Sequence, residues 1–280
     1  MDNKQNLESY SDVENLNRFN EASFAEYCNM KLRTAEPNVN FIKNHVFPGQ
    51  ALDNLNICEI GSGNSKLLYA LERQMSNGGG KLVGYEVSKS RWLFAEKFKE
   101  WIGSQRVTNH NEDVLSSRTD EMFDLIICAD IVTQIISPLF DTAEQEYFGW
   151  IRQHLSDGGR VFLEFEDFSQ TIAELGQQGV LSEWEEFPCE DPFQYGLYRE
   201  YLDSDGNLVW DKRFFERSTR EFSCFSNVIK NYTPEQACKT LSAAGFDLEI
   251  YDSPEIRAEF EITDLERHNN MFYVIAWKHD

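Results

Sequence analysis

Short apolar runs alternate with longer amphipathic stretches through the middle of the chain. The runs Leu55–Ile60, Lys81–Tyr85 and Phe123–Cys128 are each followed by a segment that contains a stretch with helical periodicity. Within the last run, positions 125–128 are apolar throughout, which is typical of a central strand covered on both faces. Repeated strand–helix units of this length predict a parallel sheet with right-handed crossovers.

Further strands complete this pattern. A weaker strand is predicted at Gln105–Asn109, and the turn Asp157-Gly158-Gly159 leads into a strand at Arg160–Phe165. The segments Phe246–Tyr251 and Met271–Trp277 predict two final strands, which follow a helix capped by Thr233 and are joined by an acidic connection. The pattern therefore predicts the α/β class, with seven strands, mostly parallel, and helices on both faces of the sheet.

The segment before the first strand reads as helical. Residues 12–47 predict two or three helices, interrupted at Glu36-Pro37-Asn38 because proline breaks a helix. One interpretation is a helical cap packed on the core. The other is a lid over a ligand, with Tyr27 and Arg33 as the residues that touch it.

A second segment, between the fifth strand and the last helix, departs from the alternation. The stretches Tyr195–Tyr201 and Leu208–Phe215 predict a β-hairpin, and Glu221–Val228 predicts one more strand. Aromatic residues give this segment an aromatic face that could cover a substrate. A satellite core or a homodimer interface is the alternative use of that face, because aromatic side chains dominate both. The aromatic residues are Tyr195, Tyr198, Tyr201, Trp210, Phe214 and Phe215.

Composition narrows the class of partner. The chain has 280 residues, 41% of them hydrophobic, and a net charge of −22. Such an acidic surface disfavours nucleic acid, whose binding depends on Lys and Arg neutralising phosphates. No run approaches the roughly 18 apolar residues of a membrane helix, and the segment Met1–Asn6 lacks the apolar core of a signal peptide. We expect a cytoplasmic protein with no membrane and no nucleic-acid partner.

The six cysteines are scattered, without a Cys-x-x-Cys pair and without a histidine at metal-ligand spacing. We therefore expect no metal site. The cysteines are interpreted as reduced and mostly buried small hydrophobic residues.

Three acidic residues follow three predicted strands at even intervals. Glu59 precedes the turn Gly61-Ser62-Gly63-Asn64, Glu86 follows the second strand, and Asp113 follows the third. Glycines let the backbone turn sharply and approach a ligand, and a helix N-terminus behind them offers free N–H groups. Because the carboxyl ends of adjacent parallel strands meet at one edge of a sheet, this pattern predicts a nucleoside-type binding site there.

These motifs resemble those of the class I S-adenosylmethionine-dependent methyltransferases, of the type that acts on small molecules. Five motifs occur in the family's order: Glu59–Gly63, Tyr85–Val87, Glu112–Val114, Phe123–Asp130 and Leu155–Val161. The resemblance covers residues 55–165 and resumes over 232–277. It implies one Rossmann-like domain, 1–280, with a helical cap at 1–50, a cofactor-binding core at 51–166 and 232–280, and an antiparallel β insertion over the substrate at 167–231.

The resemblance implies S-adenosyl-L-methionine as cofactor and S-adenosyl-L-homocysteine as product. Glu86 would bind the ribose hydroxyls, Asp113 would pair with the adenine amino group, and Asp130 would pass near the methionine moiety. Asn64-Ser65 follows the second glycine, where the family commonly has Gly or Thr. This difference would affect the pocket for the methionine carboxylate. The cofactor-binding candidates are Glu59, Gly61, Ser62, Gly63, Asn64, Glu86, Val87, Asp113, Val114, Ala129, Asp130, Ile131, Tyr27 and Arg33.

The end of the fifth strand is the expected transfer site. Asp130, Glu166 and Asp167 are the acidic candidates there for contact with the methyl acceptor. Methyl transfer from a sulfonium depends mainly on alignment, which can contribute roughly 7–11 kcal/mol of the barrier, so an obligatory base is not expected. A carboxylate would bind and orient an ammonium group. The hypothesis is a small-molecule acceptor methylated at N or O, in particular an amine.

Three alternatives stay open at this point. A dinucleotide site favours a third glycine in the turn, and Lys66 stands at that position. A protein methyltransferase acting on lysine or on an N-terminus would have the same cofactor motifs. A non-catalytic scaffold subunit that binds S-adenosylmethionine would have them without turnover.

Overall fold

A computed structural model of the chain describes residues 14–76, 78–187, 189, 193–252 and 270–279. The described strands are β1 (Ile57–Ile60), β2 (Leu82–Tyr85), β3 (Val107–His110), β4 (Phe123–Cys128), β5 (Leu155–Glu166), β6 (Val180–Glu186), β7 (Phe193–Leu202), β8 (Leu208–Glu216), β9 (Phe222–Ile229), β10 (Phe246–Tyr251) and β11 (Met271–Lys278). The described α-helices are α1 (Glu21–Phe41), α2 (Lys66–Glu72), α3 (Lys89–Ile102), α4 (Val132–Ile136), α5 (Ala143–His154), α6 (Ser169–Gln178) and α7 (Pro234–Ala243).

The main sheet confirms the predicted α/β class. It has seven strands in the order β10-β11-β5-β4-β1-β2-β3. The strands β1 to β5 are parallel, and β11 is antiparallel to both β5 and β10. The chain moves outward from β1 through β2 to β3 and then returns to β4 on the other side of β1. This reversal opens a crevice at the carboxyl ends of β1 and β4, where such sheets bind ligands.

Helices cover both faces of this sheet, as predicted. In β4, Leu125 and Ile127 pack toward α1, α2 and α3, whereas Ile126 and Cys128 pack toward α5 and α7. All four side chains are fully buried. The apolar run that identified β4 in the sequence is therefore explained by burial on both sides, because successive side chains of a strand point to opposite faces.

Helix α1 corrects one sequence prediction. It runs unbroken through Pro37, so the predicted interruption at Glu36-Pro37-Asn38 is wrong. A proline inside a helix costs about 3 kcal/mol or more because it removes a donor and crowds the preceding turn. Ala35, Val39 and Phe41 flank the proline and are all buried in the core. Packing on the sheet therefore holds the helix together where local preference would end it.

The insertion forms a second, antiparallel sheet in the order β6-β7-β8-β9. The predicted hairpin is confirmed as β7 and β8, and the predicted additional strand as β9. Helix α6 and strand β6 are additions that the sequence pattern did not predict. Gln134 joins the insertion to the core, because its amide donates to the carbonyl groups of Glu166 and Lys230 at 3.0 and 3.1 Å.

The predicted single aromatic face is wrong. The register places Tyr198, Trp210 and Phe214 on one face of the insertion sheet, and Tyr195, Tyr201 and Phe215 on the other. The first face is directed at the core, where Trp210 packs against Phe168. The second face includes Trp184 and Phe222, whose exposed fractions are 61% and 62%, and the buried Val209. Alternation along β7 and β8 divides the aromatic side chains between the two faces.

Smaller differences concern the cysteines and the segment boundaries. Cys28, Cys58 and Cys128 are buried, but Cys189, Cys224 and Cys238 are exposed, so the prediction of mostly buried cysteines is wrong for half of them. The acidic connection predicted after β10 falls on residues 253–269, outside the described residues. None of the helices in the described part of the chain combines the length and the apolar content needed to cross a bilayer.

Candidate functional site

A cavity lies at the carboxyl ends of β1 and β2, beside α4, and two of the three predicted acids, Glu86 and Asp113, line it. Glu59 is not among its lining residues. The lining of the cavity includes five of the predicted cofactor-binding residues, which are Gly61, Glu86, Val87, Asp113 and Val114. The even spacing of the motifs in the sequence therefore corresponds to one shared site in space.

The two glycines of the turn are required by close contacts as well as by backbone conformation. Gly61 and Gly63 have φ values of 66° and 56°, in the left-handed region that favours glycine. A Cβ on Gly61 would lie 2.5 Å from Cγ2 of Val132, and one on Gly63 would lie 2.6 Å from Nη2 of Arg91. Side chains here would fill the space where the turn meets the cavity.

Glu86 lies at the centre of the cavity wall. Its Oε2 accepts a hydrogen bond from the Gly63 N–H at 2.8 Å, and its Oε1 accepts one from the Ser88 N–H at 2.7 Å. Burial raises the pKa of this carboxyl, with Arg91 and the two N–H groups opposing the rise. Each carboxylate oxygen has one protein donor and can accept a further hydrogen bond from a ligand hydroxyl.

The outer part of the cavity is mainly apolar. Val87, Val114, Ile135 and Ile136 contribute to its walls. Asp113 is exposed at the mouth, where its Oδ1 accepts a hydrogen bond from the Leu115 N–H at 3.0 Å. Apolar walls beside the exposed carboxylates of Glu112 and Asp113 suit a flat ring that carries a hydrogen-bond donor.

Beyond the glycine turn lie two carboxylates, Glu59 and Asp130, whose pKa values are shifted in opposite directions. Glu59 is 5% exposed, and its Oε2 has no hydrogen-bond partner among the described residues. Burial, and then the charge of Asp130, raise the pKa of Glu59 well above its usual value. Asp130 is held in an ion pair with Lys66 at 2.8 Å, and Lys66 is the main cause that lowers its pKa. The side chain of Asp130 is open on one side, with 54% of its surface exposed.

The backbone after β4 is strained at the same place. Asp130 and Ile131 have φ values of 52° and 58°. This conformation is uncommon outside glycine and is a strong outlier for a β-branched residue. Such strain often accompanies functional sites, because the surrounding structure has to maintain it. Ile131 packs toward the insertion, against the cluster that contains Leu208 and Ile229.

Glu14 forms a cluster of polar side chains with Tyr27, Asn64 and Arg91. The carboxylate of Glu14 accepts hydrogen bonds from the Tyr27 hydroxyl at 3.2 Å, the Asn64 amide at 2.5 Å and Arg91 Nε at 3.0 Å. Glu14 is only 2% exposed. Burial opposes its ionisation, but Arg91, Lys31 and the hydrogen bonds outweigh burial and hold the pKa of Glu14 below its usual value.

A second acidic region follows the end of β5. Glu164 is buried and accepts a hydrogen bond from the Asn38 amide at 3.0 Å, while Asn38 in turn accepts one from the Tyr273 hydroxyl at 2.7 Å. Burial, with the nearby charge of Asp130, raises the pKa of Glu164 to about 7. Burial, and then the charge of Glu200 on β7, raise the pKa of Glu166 to about 7 as well.

Other predicted residues have different surroundings. The side chain of Ser62 lies under Gly84, so Ser62 shapes the turn from below. Asp167 accepts hydrogen bonds from the backbone and the hydroxyl of Ser169 at 2.9 and 2.5 Å, at the start of α6. Arg33 is exposed on α1, six residues from Tyr27, a spacing of about 120° around a helix. Ala129 is buried at the end of β4.

Several residues of the site were missed by the sequence analysis. Arg91 and Asn227 line the cavity, and Glu14 lies behind Arg91. Asn227 belongs to β9, so the insertion contributes to the wall of the same cavity. Ser88 caps the helix that carries Arg91, because its side chain accepts a hydrogen bond from the Arg91 N–H, but no sequence motif marked Arg91 itself.

Comparison with protein-family models finds no match for this chain. Comparison with curated proteins finds no match either. Solved structures do match. A S-adenosylmethionine-dependent methyltransferase from Clostridium acetobutylicum has a TM-score of 0.65 at 16% identity, over 92% of this chain and 99% of that one. The CcbJ methyltransferase from Streptomyces caelestis has a TM-score of 0.62 at 13% identity, over 88% and 90% of the two chains.

A third similar structure is CalS10, described as an amino pentose methyltransferase from Micromonospora echinaspora and solved with S-adenosylmethionine bound. Its TM-score is 0.57 at 14% identity, over 92% of this chain and 97% of that one. At these identities the likeness concerns the fold. The similarity covers 88–92% of this chain and 90–99% of the three others. The chain therefore has the Rossmann-like fold of the S-adenosylmethionine-dependent methyltransferases.

Proposed function

We propose that this chain is an S-adenosylmethionine-dependent methyltransferase that methylates a nitrogen or an oxygen of a small molecule. The observation that carries the proposal is the cavity in which Gly61, Glu86, Val87, Asp113 and Val114 meet. These residues come from motifs that resemble the family's, and they meet on a fold that the family shares.

The residues present fit the cofactor. Gly61 and Gly63 leave a cradle that a Cβ would fill, and Glu86 can accept hydrogen bonds from ribose hydroxyls. The buried Oε2 of Glu59, which lacks a hydrogen-bond partner among the described residues, is an acceptor for the turn or for an ammonium group beside it. When bound, S-adenosylmethionine supplies the electrophilic methyl group. Asp130, with its open side, would lie at the methionine end of the site.

The acceptor is proposed to be an amine. Burial, and then the charge of Glu200, raise the pKa of Glu166 to about 7, and burial, followed by the charge of Glu183, raises the pKa of Glu200. An ammonium group bound between them would relieve the repulsion, and a free amine would remain available for attack after losing its proton. The likeness to CalS10, described as an amino pentose methyltransferase, agrees with an amine-bearing acceptor.

Cofactor binding is tested by calorimetry with S-adenosylhomocysteine. We expect one site, and we expect Glu86→Gln to weaken binding roughly 10- to 100-fold, since it alters charged hydrogen bonds worth about 1.5–3 kcal/mol. Glu100→Gln on α3 is the matched control, because Glu100 is exposed and its side chain has 74% of its surface accessible. Binding of a nicotinamide dinucleotide in place of S-adenosylhomocysteine would overturn the proposal.

Turnover is tested separately with a panel of small amines, small alcohols and lysine peptides, by measuring release of S-adenosylhomocysteine. We expect the amines to react, and Glu166→Gln to raise KM for amines more than for neutral acceptors. Preferred turnover of peptides would indicate a protein methyltransferase. Binding of cofactor without turnover of any acceptor class would indicate a non-catalytic subunit.

A further inference from the structure

The pocket around Glu14 has the chemistry of a carboxylate-binding site. Its donors are a tyrosine hydroxyl, a side-chain amide and a guanidinium nitrogen, from Tyr27, Asn64 and Arg91. Three donors, one of them charged, converge on a single carboxylate that is 2% exposed. Lys31 adds a second positive charge within electrostatic reach. A carboxylate in such a setting is bound more strongly than by neutral donors alone.

The position of this pocket links it to the cofactor cavity. Asn64 follows the second glycine of the turn, and its Oδ1 accepts a hydrogen bond from the N–H of Lys66 at the start of α2. Arg91 both lines the cavity and passes over Gly63, where a Cβ would come within 2.6 Å of its guanidinium. The donors of the pocket are therefore fixed by the same turn and the same helix that shape the nucleoside site.

Glu14 itself comes from the segment before α1, not from the core sheet. The described chain reaches α1 through the short 3-10 turn Leu16–Arg18 and the cap residue Asn20. This segment belongs to no strand of the main sheet, and its Phe19 packs against Phe94 of α3. The donors, in contrast, lie on α1, on the turn after β1 and on α3.

We propose that Glu14 is an internal competitor for the cofactor: its carboxylate occupies the subsite that Tyr27, Asn64 and Arg91 offer to the amino-acid carboxylate of S-adenosylmethionine. The inference rests on the proposed function. The two carboxylates have the same charge and the same pair of acceptor oxygens, so one replaces the other on the same donors. In the absence of cofactor, the Glu14 carboxylate pairs with Arg91 Nε at 3.0 Å, and the two side chains are 2% and 18% exposed.

The consequence is a reduced apparent affinity for ligands that carry an amino-acid carboxylate. The measured Kd is the intrinsic Kd divided by the fraction of molecules in which the pocket is open. A ligand that ends at the sulfur atom does not need the pocket. Its affinity would be independent of Glu14.

The experiment compares two ligands by calorimetry, S-adenosylhomocysteine and 5′-methylthioadenosine, which has the nucleoside but no amino-acid group. In Glu14→Gln and Glu14→Ala we expect S-adenosylhomocysteine to bind about tenfold tighter, as for a pocket open in roughly one molecule in ten. We expect 5′-methylthioadenosine to bind unchanged. Glu26→Gln, at an exposed position of α1, controls for the loss of one negative charge.

The outcomes separate this inference from the proposed function. Weaker binding of S-adenosylhomocysteine in the Glu14 variants, or an equal change for both ligands, would show that Glu14 is a fixed part of the wall and would overturn the inference. Failure of the wild-type chain to bind either ligand would instead overturn the proposed function. If Glu14→Ala does not fold, Glu14→Gln carries the test, because it removes the charge that pairs with Arg91 and keeps the size of the side chain.

A thermal measurement gives an independent readout. Glu14→Ala should melt below the wild type without ligand, since it loses the ion pair with Arg91 and the hydrogen bonds from Tyr27 and Asn64. Saturating S-adenosylhomocysteine should raise the Tm of the variant by more than it raises that of the wild type. An equal or smaller ligand-induced shift in the variant would contradict competition.

Discussion

Two groups of carboxylates near the same edge of the sheet are held in opposite states. On the cofactor side, Glu14 is paired with Arg91 and Asp130 with Lys66, and both carboxyls have lowered pKa values. Beyond the end of β5, the neighbours of Glu164 and Glu166 include an amide and another carboxylate, and both pKa values are raised to about 7. Glu14 and Glu164 are both buried, so the opposite pKa shifts of these two carboxyls come from their partners.

The two groups of carboxylates therefore mark two regions of the site, one for the cofactor and one for the acceptor. The cofactor side contains its own cations and is already neutralised, so a charged ligand there must exchange with an internal partner. On the acceptor side, burial and then nearby carboxylates raise the pKa values of Glu164 and Glu166, and Lys66 opposes the rise at Glu164. An incoming cation would lower both pKa values. A sheet edge that is acidic overall thus presents one region prepared for a zwitterionic cofactor and another for an ammonium group.

The largest effect is expected from breaking the buried ion pair on the cofactor side. Arg91→Met leaves Glu14 buried without its cation, and removal of one partner of a buried pair typically costs about 3–5 kcal/mol. The side chains of Arg91 and Glu14 are 18% and 2% exposed, so solvent can compensate little. Urea unfolding at neutral pH measures the loss of free energy of unfolding.

The double variant Glu14→Gln with Arg91→Met is the control for this prediction. It removes both charges, so we expect it to recover most of the stability lost in the single variant. Equal losses in the single and double variants would mean that Arg91 stabilises the fold through its packing and not through the charge of Glu14.

The sequence predicted the part of this site that chain order determines. Gly61, Glu86 and Asp113 each follow a strand of one parallel sheet, so their convergence could be inferred from spacing alone. Strand β4 was placed at its observed ends because burial on both faces leaves an uninterrupted apolar run. Such features are local in sequence or follow from the regular geometry of the sheet.

The rest of the site depends on contacts between residues that are far apart in the sequence, which no local pattern predicts. Glu14 and Arg91 are 77 residues apart and meet only because α1 packs beside α3 and the turn. Glu166 and Glu200 belong to different sheets, and their proximity depends on how the insertion docks. Likewise, helix α1 continues through Pro37 because its neighbours in the helix are buried in the core. Helix propensity alone does not predict this packing.

A second, smaller effect is expected from Glu164 as a function of pH. Because its pKa is raised in the folded state, its contribution to stability is fully present below about pH 4.5 and is lost as the pH rises through about 7. Glu164→Gln mimics the protonated form and keeps an acceptor for Asn38. We therefore expect the variant to match the wild type near pH 5 and to exceed it by roughly 2–3 kcal/mol at pH 8.5.

The pH series is measured by urea unfolding of both proteins, with Glu36→Gln on the exposed side of α1 as control. A variant that is uniformly less stable from pH 5 to 8.5 would show that the Glu164 carboxylate is ionised and stabilising. That result would remove the contrast between the two groups of carboxylates.

A third effect, of about one pKa unit, is expected at Glu166. The charge of Glu200 is the second cause of its raised pKa, after burial, so Glu200→Gln should lower the pKa of Glu166 by roughly one unit and leave it above the usual value. Carbon NMR of the side-chain carboxyls, assigned with Glu166→Gln, measures it. Glu174→Gln on the exposed side of α6 is the control. An unchanged pKa would mean that the two carboxylates do not share one space.

The smallest effect on stability is expected from Lys66→Met. Lys66 and Asp130 form an ion pair at 2.8 Å, but their side chains are 21% and 54% exposed, so solvent screens the pair and its loss should cost less than about 1 kcal/mol. The pKa of Asp130 should nevertheless rise, because Lys66 is the main cause of its lowering. Added salt should reduce the stability difference for Lys66→Met and leave that for Arg91→Met nearly unchanged, since buried pairs are screened much less. A salt-insensitive loss above about 2 kcal/mol would instead assign Lys66 the same structural role as Arg91, and Asp130 would then be fixed in its pair and no longer free to meet the methionine end of the cofactor.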